Sequence, residues 1–363
     1  MKPAASEQDL LDKIIRRFAG LVPASPAGIG DDAAVLPVRR GPTLASTDCL
    51  IESVHFRRDE PPTLLGRKAL AVNLSDLAAM GGRPHSFLLT LAIPPDLRER
   101  HLDGLLAGLA AASREHGVSL IGGNISRSPG PLMIAITILG TCAAARGARR
   151  AVTLTRSGAR PEDGVYVGGP LGGSAAGRIL LEAGWRPRLD RRGRLAAASA
   201  PEGWGGRGWA GATLSLETLR TRVVQALRRH LDPTPRLALG QALLARRIAS
   251  AAIDLSDGLS IDLSRLCDAS GVGARILAAA VPIADSARAL APLMGAAPLG
   301  LALGGGEDYE LLFTVPRRNE RRLKGLDAIL VGRILPRGRG LLLADPSGRD
   351  SRLRVSGHDH LGG

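Results

Sequence analysis

The sequence predicts an α/β or α+β protein of two domains, and three observations lead there. The chain has 363 residues, about twice a common domain length. Strand-like and helix-like patterns alternate from end to end. A basic, Ala-rich stretch near residues 145–155 interrupts them. The expected division is 1–148 and 149–363, the second part carrying a low-complexity insertion at about 184–212.

Residues 6–19 fit an amphipathic helix, with Leu10, Leu11, Ile14, Ile15 and Phe18 on one face. Residues 33–38 and 43–47 fit strands. Residues 64–80 fit a helix stopped by Gly81 and Gly82. Residues 96–116 fit another, with Leu102, Leu105, Leu106 and Leu109 as its buried stripe. Strands are expected at 118–121, 132–139 and 164–167, with a Gly-rich turn into a helix at Ser174. The insertion, GWRPRLDRRGRLAAASAPEGWGGRGWAGA, holds Trp185, Trp204 and Trp209 and is expected to be a surface loop. Helices follow at 215–230, 236–249 and 258–269, with strands at 251–254, 309–315 and 328–334.

Composition excludes several classes. Hydrophobic residues make up 45% and charged residues 23%, as in ordinary globular chains. Cys49, Cys142 and Cys267 are far apart, with no CxxC pair, so reduced thiols and a cytoplasmic location are expected. The beginning of the chain lacks the apolar run of a signal peptide. The most apolar stretch, 132–145, falls short of the ~20 residues that span a bilayer. The formal net charge is +14, but only Lys2, Lys13, Lys68 and Lys324 are lysines. The arginines are spread along the chain without forming a stripe, so no nucleic-acid or membrane partner is expected.

The acids carry the chemical information. Asp31 and Asp32 follow a Gly-Ile-Gly turn, Asp48 lies in STDCLIESVHF and Asp76 in NLSDLAAMGG. Asp254 and Asp257 lie in AIDLSDGL, and Glu307 and Asp308 follow three glycines in GGGEDYELLF. Clustered carboxylates repel unless a cation joins them. Oxygen donors without Cys or His favour Mg²⁺, which uses a few carboxylates together with substrate phosphates. Singly, each Asp also fits a helix cap or a turn. The glycine runs at 122–129 and 168–177 are candidate phosphate cradles. There is no GxxxxGK(S/T), no GxGxxG with a downstream ribose acid, and no protein-kinase motif set.

Read together and in order, GIGDDAAVL, STDCLIESVHF, GRKALAVNLSDLAAMGG, LTRSGARPED, SAAG, AIDLSDGLSIDL, SGVGA and GGEDYELLFTVP resemble the motifs of thiamine-monophosphate kinases. The resemblance covers about residues 7–182 and 228–360. It implies a two-domain fold like that of aminoimidazole-ribonucleotide synthetase, with N-terminal domains pairing in a homodimer. It implies Mg²⁺-dependent transfer from ATP to thiamine monophosphate, giving thiamine diphosphate. By motif position, Asp32, Ser46, Thr47, Asp48, Asp76, Asp254 and Asp257 would meet magnesium. Gly123, Asn124, Arg156 and Ser256 would meet ATP, with Arg156 stabilising charge. His55, Glu307 and His358 would meet the thiamine phosphate. No covalent nucleophile is implied.

Two departures bear on that assignment. The family usually has Asp after the paired glycines, where this chain has Asn124. Near the end the family tends to have an aromatic residue where this chain has His358. Alternatives are a diverged paralogue acting on another small acceptor and a non-catalytic nucleotide-binding protein. Two relatives in the superfamily fit less well. The chain has no Cys before Cys49 to match selenophosphate synthetase, and its HLGG ending lacks the Cys of the hydrogenase-maturation protein.

Overall fold

The computed structural model describes residues 7–20, 34, 36, 42–142, 153–202 and 215–357. Asp31, Asp32, His358 and most of the expected strand at 33–38 lie outside them, as do Trp204, Trp209 and most of the basic stretch near 145–155. The described chain forms two compact units. One comprises Met1–Leu77, Arg83–Cys142 and Arg191–Arg194, so far as these are described; the other comprises Ala78–Gly82, Ala143–Asp190 and Leu195–Gly363.

The first unit begins with α1 (Glu7–Arg17), β1 (Thr43–Ile51) and α2 (Pro62–Ala79). It continues with β2 (Gly82–Ile93), α3 (Glu99–His116), β3 (Ser119–Arg127) and β4 (Met133–Cys142). The sheet order is β1-β4-β2-β3. β1 runs antiparallel to β4, and β2 parallel to β3. β4 alternates buried and half-buried residues along its length, the period of a strand with one covered face. The two helices meet at glycines. A Cβ on Gly66 would lie 2.0 Å from the Leu105 carbonyl oxygen, and one on Gly108 would lie 1.8 Å from that of Thr63. Phe18, just beyond α1, meets Phe87 of β2 edge to face with ring centroids 6.2 Å apart.

The second unit contains β5 (Gly164–Val167), α4 (Gly173–Glu182), β6 (Arg186–Leu189), β7 (Leu195–Ser199), α5 (Leu216–Leu231) and α6 (Leu237–Ala245). It continues with β8 (Ala251–Asp254), α7 (Leu259–Ser270), β9 (Val272–Leu277), α8 (Asp285–Leu290) and α9 (Pro298–Gly304). It ends with β10 (Leu311–Val315), β11 (Ile329–Pro336), β12 (Leu341–Ala344) and β13 (Asp350–Arg352). A seven-stranded sheet has the order β13-β12-β9-β11-β5-β10-β8. Every residue of β5, β8 and β10 is buried. Strands covered on both faces read as continuous apolar runs. Val165, Val167, Ile253 and Leu312 join the cluster that includes Leu259, Leu263 and Leu266 of α7. Tyr166, Ala252, Leu311 and Phe313 join the one that includes Leu239, Leu243 and Leu244 of α6. Tyr166 and Phe313 are direct cross-strand partners, and their rings stack at 5.8 Å.

Three expectations are corrected. Residues 122–129 are not a loop throughout: 122–127 continue β3, in register with β2 from Leu88 to Ile93. The insertion is not wholly a loop either. β6 and β7 pair as an antiparallel hairpin, and Trp185 and Leu195 are buried at its base. The expected helix 236–249 ends four residues earlier, at Ala245.

Candidate active site

In the second unit, adjacent strand ends gather the candidate residues. Asp254 closes β8 and pairs in register with Leu311, which opens β10. The loops beyond them are zipped together. The Leu255 N–H donates to the Glu310 carbonyl at 2.8 Å, Tyr309 N–H to Leu255 at 2.9 Å, and Glu307 N–H to Ser256 at 2.6 Å. This brings Asp254, Ser256, Asp257 and Glu307 into one neighbourhood. The hairpin-like path needs left-handed backbone at Gly306 (φ 69°), and also at Glu307 (φ 55°) and Tyr309 (φ 49°). Such conformations cost non-glycine residues energy and concentrate at functional sites.

The neighbouring acids have separate tasks. Asp308 accepts the Gly172 N–H at 2.6 Å and the Ser174 N–H at 3.2 Å, at the start of α4. These are amides of the 168–177 glycine run, expected to cradle a phosphate; a carboxylate of the chain itself takes two of them. Burial pushes the Asp308 carboxyl up to about 6 despite those bonds. Glu310 is buried and accepts two bonds of 2.6 Å from Arg236 and one of 3.2 Å from Arg229. Asp262 accepts the N–H groups of Asp257 and Gly258, fixing the turn that presents Asp257. Burial pushes its carboxyl up to about 6. Arg265 pairs with both Asp257 and Asp262. Glu307 meets His230 of α5 at 3.1 Å.

In the first unit the geometry follows from two periods. Ser46 and Asp48 are two apart on β1, hence on one face; Asn73 and Asp76 are three apart on α2, hence on one side. The pairs meet: Ser46 Oγ donates to Asp76 at 2.5 Å, and the Asp48 N–H donates to Asn73 Oδ1 at 3.1 Å. Thr47 lies between them and points to the opposite face. Its hydroxyl donates to the Ile136 carbonyl at 3.1 Å and accepts from Thr137 at 3.1 Å. The structure therefore turns the Thr47 hydroxyl away from the face that carries Ser46 and Asp48. His55 lies just beyond β1, and its Nδ1 accepts the Ile51 N–H at 3.1 Å, which leaves the neutral ring's proton on Nε2. The same loop is tied down by Glu52, which accepts from Arg58 at 2.6 and 2.8 Å and from the Leu132 N–H at 3.0 Å. Arg58 holds the Glu52 carboxyl below its usual range.

The remaining expected residues are more scattered. Gly123 and Asn124 sit in β3, paired with Leu89 and Thr90. The Arg156 side chain is exposed, and its carbonyl accepts from Ser270 at 3.0 Å. Lys68 is buried in α2, while Arg67 pairs with Glu115 at 3.0 Å. Sequence reasoning missed His230, Asn73, Asp262, Arg265 and the Glu310–Arg236 pair. Asn73, Asp262 and Glu310 lay within quoted motifs, Asn73 at a spacing of three from Asp76, whereas nothing in the sequence marked His230, Arg236 or Arg265.

The donor set fits magnesium. Among the described residues no group of three or more His, Cys, Asp or Glu is placed to hold a metal ion. Among the described residues the sequence motifs offer two carboxylates in each unit, Asp48 and Asp76 in one and Asp254 and Asp257 in the other. Mg²⁺ commonly takes one or two carboxylates, with waters and phosphate oxygens completing its shell. Among the described residues no helix is long and apolar enough to cross a membrane.

Comparisons with known proteins give the family. Residues 30–142 match the N-terminal domain of AIR synthase related proteins, and residues 194–350 match their C-terminal domain. The thiamine-monophosphate kinase of Salmonella typhimurium is 42% identical over 82% of this chain and 78% of its own. The crystal structure of the Stenotrophomonas maltophilia thiamine-monophosphate kinase superposes with a TM-score of 0.72 at 33% identity, covering 94% of this chain and 96% of that one. AaThiL complexed with AMPPCP and TMP superposes with a TM-score of 0.70 at 30% identity, covering 98% and 97%. With two AIR synthase domains in order and this degree of identity over most of its length, the chain belongs to the thiamine-monophosphate kinase family.

Proposed function

We propose that this chain transfers the γ-phosphoryl group of ATP to the phosphate of thiamine monophosphate, releasing ADP and thiamine diphosphate. The observation that carries the reading is the meeting of β1 and α2 at motif positions of the family, Ser46 with Asp76 and the Asp48 backbone with Asn73. A phosphate monoester has its second pKa near ~6, so the acceptor is largely dianionic at neutral pH and needs no general base. The barrier is repulsion between two anions, which positioning and positive charge relieve. Asp32, Ser46, Asp48, Asp76, Asp254 and Asp257 would hold magnesium, whereas the Thr47 hydroxyl is committed to the Ile136 carbonyl. Bound magnesium supplies charge neutralisation on the phosphate oxygens.

The chain's own groups divide the remaining work. Arg156 supplies a permanent cation for the transferring phosphoryl group, while Gly123, Asn124 and Ser256 meet the nucleotide. His55 offers an Nε2–H donor suited to a phosphate oxygen. Glu307 is an anion and is assigned to the opposite end of the substrate, the cationic thiazolium and the aminopyrimidine. His358 would face the same ring system. The active form is a homodimer in the cytoplasm. The deciding assay incubates the protein with ATP, Mg²⁺ and thiamine monophosphate and follows ADP and thiamine diphosphate. Stoichiometric formation of both supports the reading. Thermal stabilisation by nucleotide without turnover would identify a binder instead.

A further inference from the structure

We propose that His230 is a positioning residue that aims the Glu307 carboxylate and so sets the affinity for the cationic end of the acceptor. The proposal rests on the reading above that Glu307 meets that end. His230 lies in the last turn of α5 and is 3% exposed; Ser174, in the first turn of α4, is fully buried. His230 Nδ1 lies 3.1 Å from Glu307 Oε2 and 3.1 Å from Ser174 Oγ. An ionised carboxylate can only accept, so a bare Nδ1 would set lone pair against lone pair. The network therefore assigns the proton to Nδ1, which donates to Oε2.

Glu307 needs such a partner. It belongs to no helix or strand, and its backbone is left-handed, at φ 55°. Its main chain is tied by the bond to the Ser256 carbonyl, which fixes where the side chain starts but not where the carboxylate ends. A buried imidazole on a helix, whose Nδ1–H is shared with the buried Ser174 hydroxyl oxygen as a second acceptor, supplies a rigid second point. Because His230 acts at the carboxylate, its loss is expected in acceptor binding and not in nucleotide binding.

The test compares kcat and the KM values for thiamine monophosphate and ATP in His230→Asn, His230→Gln and Glu307→Gln, with the corresponding double variants. Asparagine places an amide N–H near the Nδ1 position, whereas glutamine extends toward the Nε2 position. His230→Gln is expected to raise KM for thiamine monophosphate about tenfold, with kcat and KM for ATP within about twofold. His230→Asn is expected to stay within about threefold of the unaltered protein. In a Glu307→Gln background the difference between the two should vanish. Equal effects of Asn and Gln, or a difference that survives in that background, overturn the proposal. Should Glu307→Gln alone leave KM for thiamine monophosphate unchanged, the assignment of Glu307 to substrate fails first and takes the proposal with it. If the His230 variants do not fold, Ser174→Ala serves: a smaller rise in the same KM supports the positioning role, and no change overturns it.

Discussion

Asp308 shows how adjacent acids acquire opposite roles. Glu307 and Asp308 look equivalent in GGGEDYE, and both were legible as acids at the end of an apolar segment. Left-handed backbone at Glu307 and Tyr309 sends the side chains apart, and no residue type announces that turn. Asp308 ends against the amides that open α4, where a helix attracts negative charge. Its carboxyl is raised from 3.8 to about 6, so the folded chain holds that proton more tightly than the unfolded one. The resulting contribution favours folding fully below pH 3.8 and is lost as pH rises through about 6. Its full size is on the order of 3 kcal/mol. Against Asp308→Asn, which carries no charge at any pH, the unaltered protein should therefore gain stability as pH falls from ~7.5 to ~4.5. Denaturant melts of both proteins at the two pH values measure this, and a gap that does not change rules out a buried, ionisable Asp308. Asn124 poses a different question. Its amide oxygen can bind a cation without offsetting the charge, so Asn124→Asp should lower the magnesium concentration needed for half-maximal turnover. An unchanged magnesium titration refutes that.

At the scale of elements, helices were more legible than strands. The stripe Leu102, Leu105, Leu106 and Leu109 identifies α3 because a 3.6-residue period survives any tertiary context. β2 was invisible: it begins with Gly82 and Pro84, and the apolar Leu88 stands at an exposed position between buried Phe87 and Leu89, so neither composition nor alternation marks it. β3 was cut short at its glycines for the same reason. Gly122 and Gly123 read as a turn, yet a Cβ at Gly123 would sit 1.8 Å from the Leu89 carbonyl oxygen, so the glycine serves close strand pairing. The β6–β7 hairpin depends on contacts distant in sequence: Arg228 of α5 donates to the Leu195 carbonyl at 2.9 Å. Excising 186–199 is thus expected to lower the melting temperature instead of trimming a dispensable loop. An unchanged melt after excision argues against that. Gly108 makes the sharper case. Alanine there drives its methyl into the Thr63 backbone across the α2–α3 contact, so Gly108→Ala should cost at least ~1–3 kcal/mol in denaturant unfolding. On the solvent face of a helix the same change would stabilise slightly.

For the whole molecule, the excess of arginine is a field instead of a site. The net charge of +14 was legible at once, and its lack of a stripe in the sequence argued against a nucleic-acid surface. A broadly distributed positive charge still acts on diffusing anions, and its reach is set by the Debye length, about 10 Å at 0.1 M salt. The two proposed substrates differ in what they would feel. ATP is strongly anionic, whereas thiamine monophosphate sets a cationic ring against its phosphate. Raising ionic strength from about 20 to about 300 mM at fixed free Mg²⁺ should therefore lower kcat/KM for ATP several-fold and that for thiamine monophosphate by less. A bulky organic cation as the added salt avoids competition at metal sites, and kcat should change little, because screening acts on encounter more than on the bound complex. Equal loss for both substrates would mean that salt acts on the fold or the chemistry, and no loss for either would mean that the net charge plays no part in substrate capture.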